Sequence, residues 1–163
     1  MKTAIKYLIF FLCLTLGKAT YAQPSMGAEQ TEIYLPLLKG KRVALVVNHT
    51  SVVVDTHLAD TLMASGVKLT ALFAPEHGIR GNADAGESVS NGRDTRTNLP
   101  IYSLYGAHKK PTHAQLEKTD IVVFDIQDVG ARFYTYISTL YYVMQACAQY
   151  GKEVMVLDRP NPC

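Results

Sequence analysis

The stretch 121-IVVFDIQDVGARFYTYISTLYYVMQACAQYGKEVMVLD-158 decides the fold, because its pattern predicts a strand, a helix and a second strand. The runs 121–126 and 154–157 are apolar without alternation of polar and apolar side chains, which is typical of strands buried on both faces of a parallel sheet. Between them a helix is predicted over about 131–150, ended by Gly151. Its apolar residues recur at helical spacing, at Phe133, Ile137, Leu140, Met144 and Cys147. A helix that joins two parallel strands predicts a doubly wound α/β layer.

Three similar apolar runs precede this unit, at 43–47, 69–73 and 101–105. Two shorter helices are predicted between the strands. One covers 55–65 and is ended by Gly66, and the other covers 112–118 with Thr112 as its N-cap. The five strands and three helices therefore predict an α/β fold, with a mostly parallel sheet that is flanked by helices on both faces.

The N-terminal segment predicts export from the cytoplasm. Lys2 and Lys6 form a basic start, and the apolar run 7–17 is too short to span a bilayer comfortably. Small residues follow at the positions that a signal peptidase recognises, so we expect a signal peptide over 1–22 with cleavage after Ala22. An uncleaved N-terminal anchor is the alternative. The protein is expected to be periplasmic or secreted, without a membrane partner once the signal peptide is removed.

The rest of the chain is predicted to form a lead-in segment, 23–39, followed by one domain over 40–163. The polar residues 23–32 are expected to be flexible. Removing the signal peptide leaves 13 of the 16 basic residues against 14 acidic residues, so no electrostatic case for a nucleic-acid partner remains. The chain contains no GxGxxG after a strand and no GxxxxGK[ST], HExxH or CxxC motif. We therefore expect no cofactor and no metal ion.

Polar side chains follow four of the five predicted strands. These side chains include Asn48, Glu76, His77, Asp125, Gln127, Asp128, Arg159 and Asn161. Because the carboxyl ends of parallel strands lie along one edge, where open α/β folds bind their ligands, the pattern predicts a shared polar site. Local roles are the alternatives, with Asn48 as a turn cap and Asp158 paired to Arg159 as a brace for a turn.

Glu76 is the strongest candidate for chemistry among these residues. It leaves a buried strand directly after Pro75, which restricts the backbone and fixes the direction of the glutamate. Partial burial favours the protonated form of a carboxyl group, which a general acid must keep near neutral pH. The alternative is a pairing of Glu76 with Arg80 that only braces the turn.

Five segments of the chain resemble one known family. They are 71-ALFAPEHGIRG-81, 83-ADAGE-87, 99-LPIYSLYG-106, 123-VFDIQDVGARFYTYISTL-140 and 156-VLDRPNP-162. On these motifs the region from Gly40 to Pro162 resembles the bacterial exo-β-N-acetylmuramidases, a glycoside hydrolase family formerly catalogued as a domain of unknown function.

The resemblance implies a fold, an activity and a substrate. Members of the family pair a larger Rossmann-like domain with a smaller C-terminal domain, and their active cleft lies between the two. They are secreted or periplasmic, and they release terminal N-acetylmuramic acid from the non-reducing end of peptidoglycan fragments in cell-wall turnover or recycling. The family continues beyond the DRPNP motif whereas this chain stops at Cys163, so we expect a fragment without the smaller domain. A non-catalytic domain that binds peptidoglycan or muropeptides is the alternative function.

The resemblance also assigns roles to residues at the strand ends. Glu76 corresponds to the catalytic acid, and Asp125 or Asp128 is expected to act as nucleophile or base unless the 2-acetamido group of the sugar takes that role. The implied substrate-binding residues are Asn48, His77, Arg80, Gln127, Arg132, Tyr134, Arg159 and Asn161. The three arginines in this set are candidates for binding the lactyl carboxylate of N-acetylmuramic acid, because a guanidinium group can bind a carboxylate through two parallel hydrogen bonds.

Overall fold

The computed structural model of the chain describes residues 25–81 and 91–163. The predicted signal peptide with its cleavage position and the ADAGE segment lie outside the described residues. The helices are α1 (Thr31–Leu38), α2 (Leu58–Ala64), α3 (His113–Leu116) and α4 (Tyr136–Tyr150). The strands are β1 (Arg42–Val47), β2 (Val52–Val53), β3 (Thr56–His57), β4 (Lys68–Ala74), β5 (Gly92–Arg93), β6 (Pro100–Ser103), β7 (Ile121–Asp125) and β8 (Glu153–Val156). Within this part of the chain, none of the helices has the length and apolar character needed to cross a membrane.

Six strands form one sheet in the order β5-β6-β4-β1-β7-β8. Every neighbouring pair is parallel apart from the short β5, which runs antiparallel to β6. β2 and β3 form a separate antiparallel hairpin, which takes up the first residues of the helix predicted at 55–65. When the five longer strands are numbered along the chain, their order is 3-2-1-4-5, as in a Rossmann fold. The predicted α/β fold with a mostly parallel sheet is confirmed.

Side chains of the central strand β1 alternate between two hydrophobic cores. Val43, Leu45 and Val47 pack with residues of α1 and α2 on one face of the sheet. Ala44 and Val46 pack with residues of α3 and α4 on the other face. Because helices cover both faces, the strand has no position that needs a polar side chain, and its sequence does not alternate for that reason.

The expectation of a flexible segment over 23–32 is wrong for the described residues. A 3₁₀ turn comes first, and α1 begins at Thr31. Tyr34 and Leu38, one helical turn apart, are buried against the sheet. The Tyr34 hydroxyl also donates a hydrogen bond to the Ala28 carbonyl oxygen (2.9 Å). The apolar pair at this spacing is the signal that predicts a helix packed on the core.

The 3₁₀ turn Gly27–Glu29 is anchored to the other end of the described chain. The Gly27 amide donates a hydrogen bond to the Asp158 carbonyl oxygen (2.7 Å), two residues after the end of β8. A side chain at position 27 would place its Cβ within 2.6 Å of the Asp158 nitrogen. Glycine is therefore required at this position, because the two backbones lie in direct contact.

Helix α4 begins later than predicted and buries a different face. The segment 131–135 forms turns, and the helix begins at Tyr136. Its buried residues are Tyr136, Thr139, Val143, Ala146 and Cys147. Three of the predicted apolar positions, Phe133, Ile137 and Met144, are exposed instead. Most of the side chains that face the sheet are small, which lets the helix approach it closely and leaves the larger apolar residues outside.

Replacing Gly151 by alanine is expected to lower the free energy of unfolding by about 1 kcal/mol. Gly151 ends α4 with a φ angle of 63°, and a residue with a Cβ pays about 1–2 kcal/mol there, partly offset by the lower entropy of its unfolded chain. No atom lies within 4 Å of the position of an added Cβ, so the cost is conformational. Gly92→Ala is the control, because it also has open space but no positive φ angle. Equal stability of the two variants in urea unfolding would contradict the prediction.

Candidate active site

The carboxyl edge of the sheet brings several of the predicted residues together. Asn48 follows β1, Glu76 follows β4 and Gln127 follows β7. These three strands are parallel neighbours in the order β4-β1-β7. The end of β6, which lies next to β4, adds Tyr105. All four residues therefore lie at the edge where open α/β folds bind their ligands.

A strained turn sets the direction in which Glu76 leaves the sheet. The Gly78 amide donates a hydrogen bond to the Pro75 carbonyl oxygen (3.2 Å), which closes a four-residue turn with Glu76 and His77 at its centre. The φ angle of His77 is 72°, in the range that a type II turn requires at its third position and that normally selects glycine. A non-glycine residue in this region costs about 1–3 kcal/mol, and such strain clusters at active sites. The strain at His77 thus marks this turn as a candidate catalytic element.

Glu76 lines a cavity of about 160 Å³ next to the first turn of α4. The lining residues are Glu76, Leu104, Tyr105, Lys109, Thr135, Ser138, Thr139 and Tyr142. The Tyr105 hydroxyl donates a hydrogen bond to the Glu76 carboxylate, and this bond and the negative charge of Glu76 raise the pKa of Tyr105. The cavity combines one carboxyl group with several hydroxyl groups, a set of donors and acceptors that suits a sugar.

Tyr136 links the Glu76 cavity to Asn48. Its side chain is buried. Burial raises the pKa of Tyr136, the Asn48 amide lowers this pKa, and the charge of Glu76 raises it. Tyr134 lies beside it, with 6.4 Å between the two ring centroids. The Tyr136 phenol is therefore within electrostatic reach of both the predicted acid and the predicted binding amide.

Asn48 is fully buried, and its side chain is held by contacts within the protein. Its Oδ1 accepts hydrogen bonds from the Thr50 amide (2.9 Å) and the Thr50 hydroxyl (2.6 Å), and its backbone amide donates to Ser51 Oγ (2.9 Å). The side-chain nitrogen Nδ2 has no acceptor with good hydrogen-bond geometry among the described residues, but it lies close enough to the Tyr136 hydroxyl group for a weak hydrogen bond that lowers the pKa of Tyr136. Because Asn48 has no exposed surface, the predicted substrate-binding role is expected to be indirect, through Tyr136.

Side-chain hydrogen bonds bridge the ends of β1 and β7, the place where Rossmann folds bind dinucleotides through a glycine-rich turn. The Ser51 hydroxyl donates to the Asp125 carbonyl oxygen, and the Gln127 amide donates to Thr50 Oγ1 (3.1 Å). The Gln127 side-chain nitrogen donates to two backbone carbonyl oxygens, at 2.8 and 2.9 Å. Binding of a substrate by Gln127 would therefore use its side-chain oxygen.

The structure corrects the roles predicted for Asp125 and Arg159. Arg159 Nε and Nη2 donate to the two carboxylate oxygens of Asp125, at 2.5 and 3.0 Å. The Arg159 and Asp125 side chains are 3% and 0% exposed. Arg159 also donates to the Val52 carbonyl oxygen (3.0 Å), which ties the β2–β3 hairpin to the segment after β8. A carboxylate without exposed surface cannot reach a sugar, and the pair joins parts of the fold instead.

The structure also corrects the role predicted for Arg80. Arg80 Nε and Nη2 donate to the Asp94 carboxylate, both at 2.8 Å, and Nη1 and Nη2 donate to Asp60, both at 3.1 Å. The hydrogen bonds from Arg80 hold the pKa of Asp94 well below its usual range. Because these bonds use most of its donors, Arg80 fixes the segment after β5 to α2 and is not available to bind the lactyl carboxylate of a substrate.

Replacing Asp94 by asparagine is expected to lower the free energy of unfolding at neutral pH by about 1–2 kcal/mol, because it removes the ionic hydrogen bonds from Arg80. The loss is limited to this range because Arg80 is partly solvated, and water weakens these bonds. Arg80 depresses the pKa of Asp94 in the folded state. The carboxylate therefore stabilises the fold above the ordinary aspartate pKa of about 3.9, and this stability is lost as the pH falls below that value.

Urea unfolding of wild type and variant, at neutral pH and below pH ~3.9, measures this effect. The stability difference is expected to shrink in acid, and Asp55→Asn, at an exposed position, is expected to change stability at neither pH. If the free energy of unfolding lost in Asp94→Asn is the same at both pH values, the stabilising role of the ionised Asp94 carboxylate is contradicted.

The remaining predicted residues lie at the surface of the same edge. Asp128 accepts a hydrogen bond from a backbone amide two residues later (2.6 Å) and lines a second cavity, of about 140 Å³, between β7, β8 and α4. Arg132 and Tyr134 are exposed in the turns before α4. Asn161 accepts a hydrogen bond from the amide of the last residue (3.0 Å). Asp128 thus keeps access to a cavity, whereas Asp125 is buried against Arg159.

Three side chains at this edge are missing from the predicted set. Tyr105 is the last residue of the strand predicted at 101–105, so the rule that polar strand ends share an edge would have found it. Tyr136 lies inside the predicted helix, and Lys109 lies in a loop. No pattern in the sequence distinguishes either residue from its neighbours in the chain.

A larger cavity lies at the opposite edge of the sheet. It measures about 750 Å³ and is lined by side chains within 31–40 and 65–68. None of the predicted site residues lines it, and open α/β sheets bind their ligands at the carboxyl edge. We therefore place the candidate site at the smaller cavity of Glu76. Among residues 25–81 and 91–163, no three His, Cys, Asp or Glu side chains are grouped so that they could hold a metal ion.

Comparisons with known proteins identify relatives of the chain. The family model "Exo-beta-N-acetylmuramidase NamZ, N-terminal" matches residues 43–163. The chain is 50% identical over 131 residues to the peptidoglycan beta-N-acetylmuramidase NamZ of Bacillus subtilis (strain 168), which covers 79% of this chain and 32% of that protein.

Two crystal structures of DUF1343 family proteins from Bacteroides fragilis NCTC 9343 are similar in fold. Their TM-scores are 0.73 and 0.76, and their sequence identities are 46% and 44%. Each alignment covers 84% of this chain and 35% of the other. The chain thus spans about a third of the length of the relatives that it matches.

Proposed function

Since the chain belongs to the exo-β-N-acetylmuramidase family, we propose that it binds the terminal N-acetylmuramic acid of peptidoglycan fragments and hydrolyses the bond that holds this sugar. The observation that carries the proposal is the position of Glu76. This residue leaves a strained turn at the carboxyl edge of the sheet and lines a cavity rich in hydroxyl groups. The predicted signal peptide extends the proposal to an exported protein that acts in cell-wall turnover or recycling.

In the proposed mechanism Glu76 is the general acid. Its carboxyl group gives a proton to the glycosidic oxygen as the bond to the leaving sugar breaks, a step that two-carboxylate glycosidases share. Tyr105 holds the Glu76 side chain in the cavity through its hydrogen bond. Asn48 is fully buried, so its proposed contribution is indirect: its side-chain amide holds the Tyr136 phenol, which lies within electrostatic reach of Glu76.

The group that acts on the anomeric carbon is Asp128 or the 2-acetamido group of the substrate. Asp128 lines a cavity on the same edge of the sheet, whereas Asp125 is held by Arg159 in the core. The resemblance to the family implies an active cleft between two domains, so we propose that a second domain forms the wall opposite Glu76.

Two measurements on the same protein test the proposed function. The chain is incubated with a glycan that ends in N-acetylmuramic acid, and the released sugar is quantified, while binding of free N-acetylmuramic acid is followed by calorimetry. Release of the sugar supports a hydrolase. Binding without release supports the alternative, a peptidoglycan-binding domain. Absence of both would refute the proposal.

A further inference from the structure

The lactyl carboxylate distinguishes N-acetylmuramic acid from N-acetylglucosamine, and a cation at the site would favour the former by pairing with this negative charge. Arg80 and Arg159, two of the three arginines predicted for this role, are held by carboxylates of the protein. Arg132 is exposed before α4 and does not line the cavity of Glu76. The cation that lines this cavity is Lys109.

Lys109 lies in the loop between β6 and α3, four residues after Tyr105. It is exposed, and none of the ion pairs between described residues involves its ammonium group. The neighbouring Lys110 is differently placed, because its Nζ donates a hydrogen bond to Gln149 Oε1 (3.0 Å) and the residue does not line the cavity. Of the two adjacent lysines, Lys109 is therefore the one that is available to a ligand at the cavity.

Glu76 and Lys109 are the two charged residues that line the cavity. The scissile bond at C1 and the lactyl ether at C3 belong to the same pyranose ring, so an acid and a cation around one small cavity can address both groups of one sugar. The cavity, at about 160 Å³, is smaller than the roughly 300–1,000 Å³ of ordinary ligand pockets. It therefore suits one side of the sugar rather than a longer glycan.

We propose that Lys109 is a specificity-determining residue whose ammonium group binds the lactyl carboxylate of the terminal N-acetylmuramic acid. This inference rests on the proposed function. It explains the preference for N-acetylmuramic acid by a residue outside the set that was predicted from the sequence. A lysine can fill this role because its compact charge sits on a flexible stem that can follow the carboxylate as the ring moves. N-acetylglucosamine lacks the carboxylate and gains nothing from Lys109.

The test is a comparison of Lys109→Met with the matched control Lys110→Met in the full chain. Each protein is titrated calorimetrically with N-acetylmuramic acid and, separately, with N-acetylglucosamine. Lys109→Met is expected to weaken binding of N-acetylmuramic acid by about 10- to 100-fold, the usual effect of losing a hydrogen bond to a charged group. Its affinity for N-acetylglucosamine is expected to stay unchanged, and Lys110→Met is expected to change neither.

Two further readouts separate recognition of the carboxylate from a general effect on the fold. Lys109→Arg is expected to keep most of the preference for N-acetylmuramic acid, since it keeps the charge. In the wild type, added salt is expected to weaken binding of N-acetylmuramic acid more than binding of N-acetylglucosamine, because salt screens an exposed ion pair.

The outcomes also separate this inference from the proposed function. If the wild type prefers N-acetylmuramic acid and Lys109→Met keeps that preference, Lys109 is not the determinant while the proposed function stands. Equal weakening of both sugars by Lys109→Met would overturn the inference in the same way. If the wild type binds neither sugar, the proposed function fails and the role of Lys109 fails with it.

Discussion

Replacing Glu76 by glutamine is expected to reduce the hydrolysis of a chromogenic N-acetylmuramide by about 10²–10⁴-fold, the usual contribution of a positioned general acid. Glutamine has nearly the same shape as glutamate but cannot give a proton to the leaving oxygen. Its side-chain oxygen can still accept the hydrogen bond from Tyr105, so the turn and the cavity are expected to stay intact. Initial rates and the thermal unfolding midpoint, measured on the same preparation, check both parts of the prediction.

The control for this substitution is Glu117→Gln, an exposed glutamate directly after α3. It changes the net charge by the same amount but lies outside the Glu76 cavity, so its rate is expected to equal that of the wild type. Full activity of Glu76→Gln would remove Glu76 from the mechanism. A large fall in the unfolding midpoint of Glu76→Gln would show instead that the glutamate braces the turn.

Replacing Arg159 by leucine is expected to have the largest effect on stability, a loss of about 3–5 kcal/mol. The substitution leaves the Asp125 carboxylate buried without its partner, and both side chains are almost fully enclosed. It also removes the hydrogen bond to the Val52 carbonyl oxygen, which holds the β2–β3 hairpin. Urea unfolding at neutral pH measures the loss.

The pH dependence of this loss identifies its cause. Burial raises the pKa of Asp125, and Arg159 lowers it, so removal of Arg159 is expected to raise this pKa further. A carboxyl group whose pKa is raised by folding destabilises the fold most when it is ionised, and the penalty falls as the pH is lowered toward the ordinary aspartate pKa of about 3.9. The loss caused by Arg159→Leu is therefore expected to be smaller in acid than at neutral pH.

Arg42→Leu is the matched control for the buried pair. Arg42 binds Asp120 with similar geometry, but both side chains are 39% exposed. Since water screens an exposed ion pair, Arg42→Leu is expected to lower the free energy of unfolding much less than Arg159→Leu. Equal losses from Arg42→Leu and Arg159→Leu would contradict the role given to burial.

Most of the sheet could be predicted from the sequence because burial on both faces leaves a visible pattern. The runs at 43–47 and 121–126 lack alternation for that reason, and their polar ends had to share an edge once the strands were parallel. The face of α4 could not be predicted in the same way. Exposed Ile137 and Met144 continue the helical spacing, while the buried face is built from smaller residues that carry a weaker signal.

The partners of the arginines could not be predicted from local sequence. Whether a guanidinium group faces a ligand or a carboxylate of the protein depends on residues far along the chain. Arg80 meets Asp60 and Asp94, and Arg159 meets Asp125. From the sequence alone, both arginines are equally suitable for binding a ligand, and only the fold shows that carboxylates of the protein occupy them.

The backbone contact between Gly27 and Asp158 joins opposite ends of the described chain, and we expect it to form after β8 has joined the sheet. Contacts of such long sequence separation close late, after the local elements have formed. The Gly27 amide is therefore expected to exchange its hydrogen for deuterium as soon as the N-terminal turn detaches, while amides of β1 stay protected. The exchange rate of this one amide would then report how often the turn detaches and exposes Arg159, whose Nη1 contacts Met26 Sδ in the same turn (3.2 Å), to water.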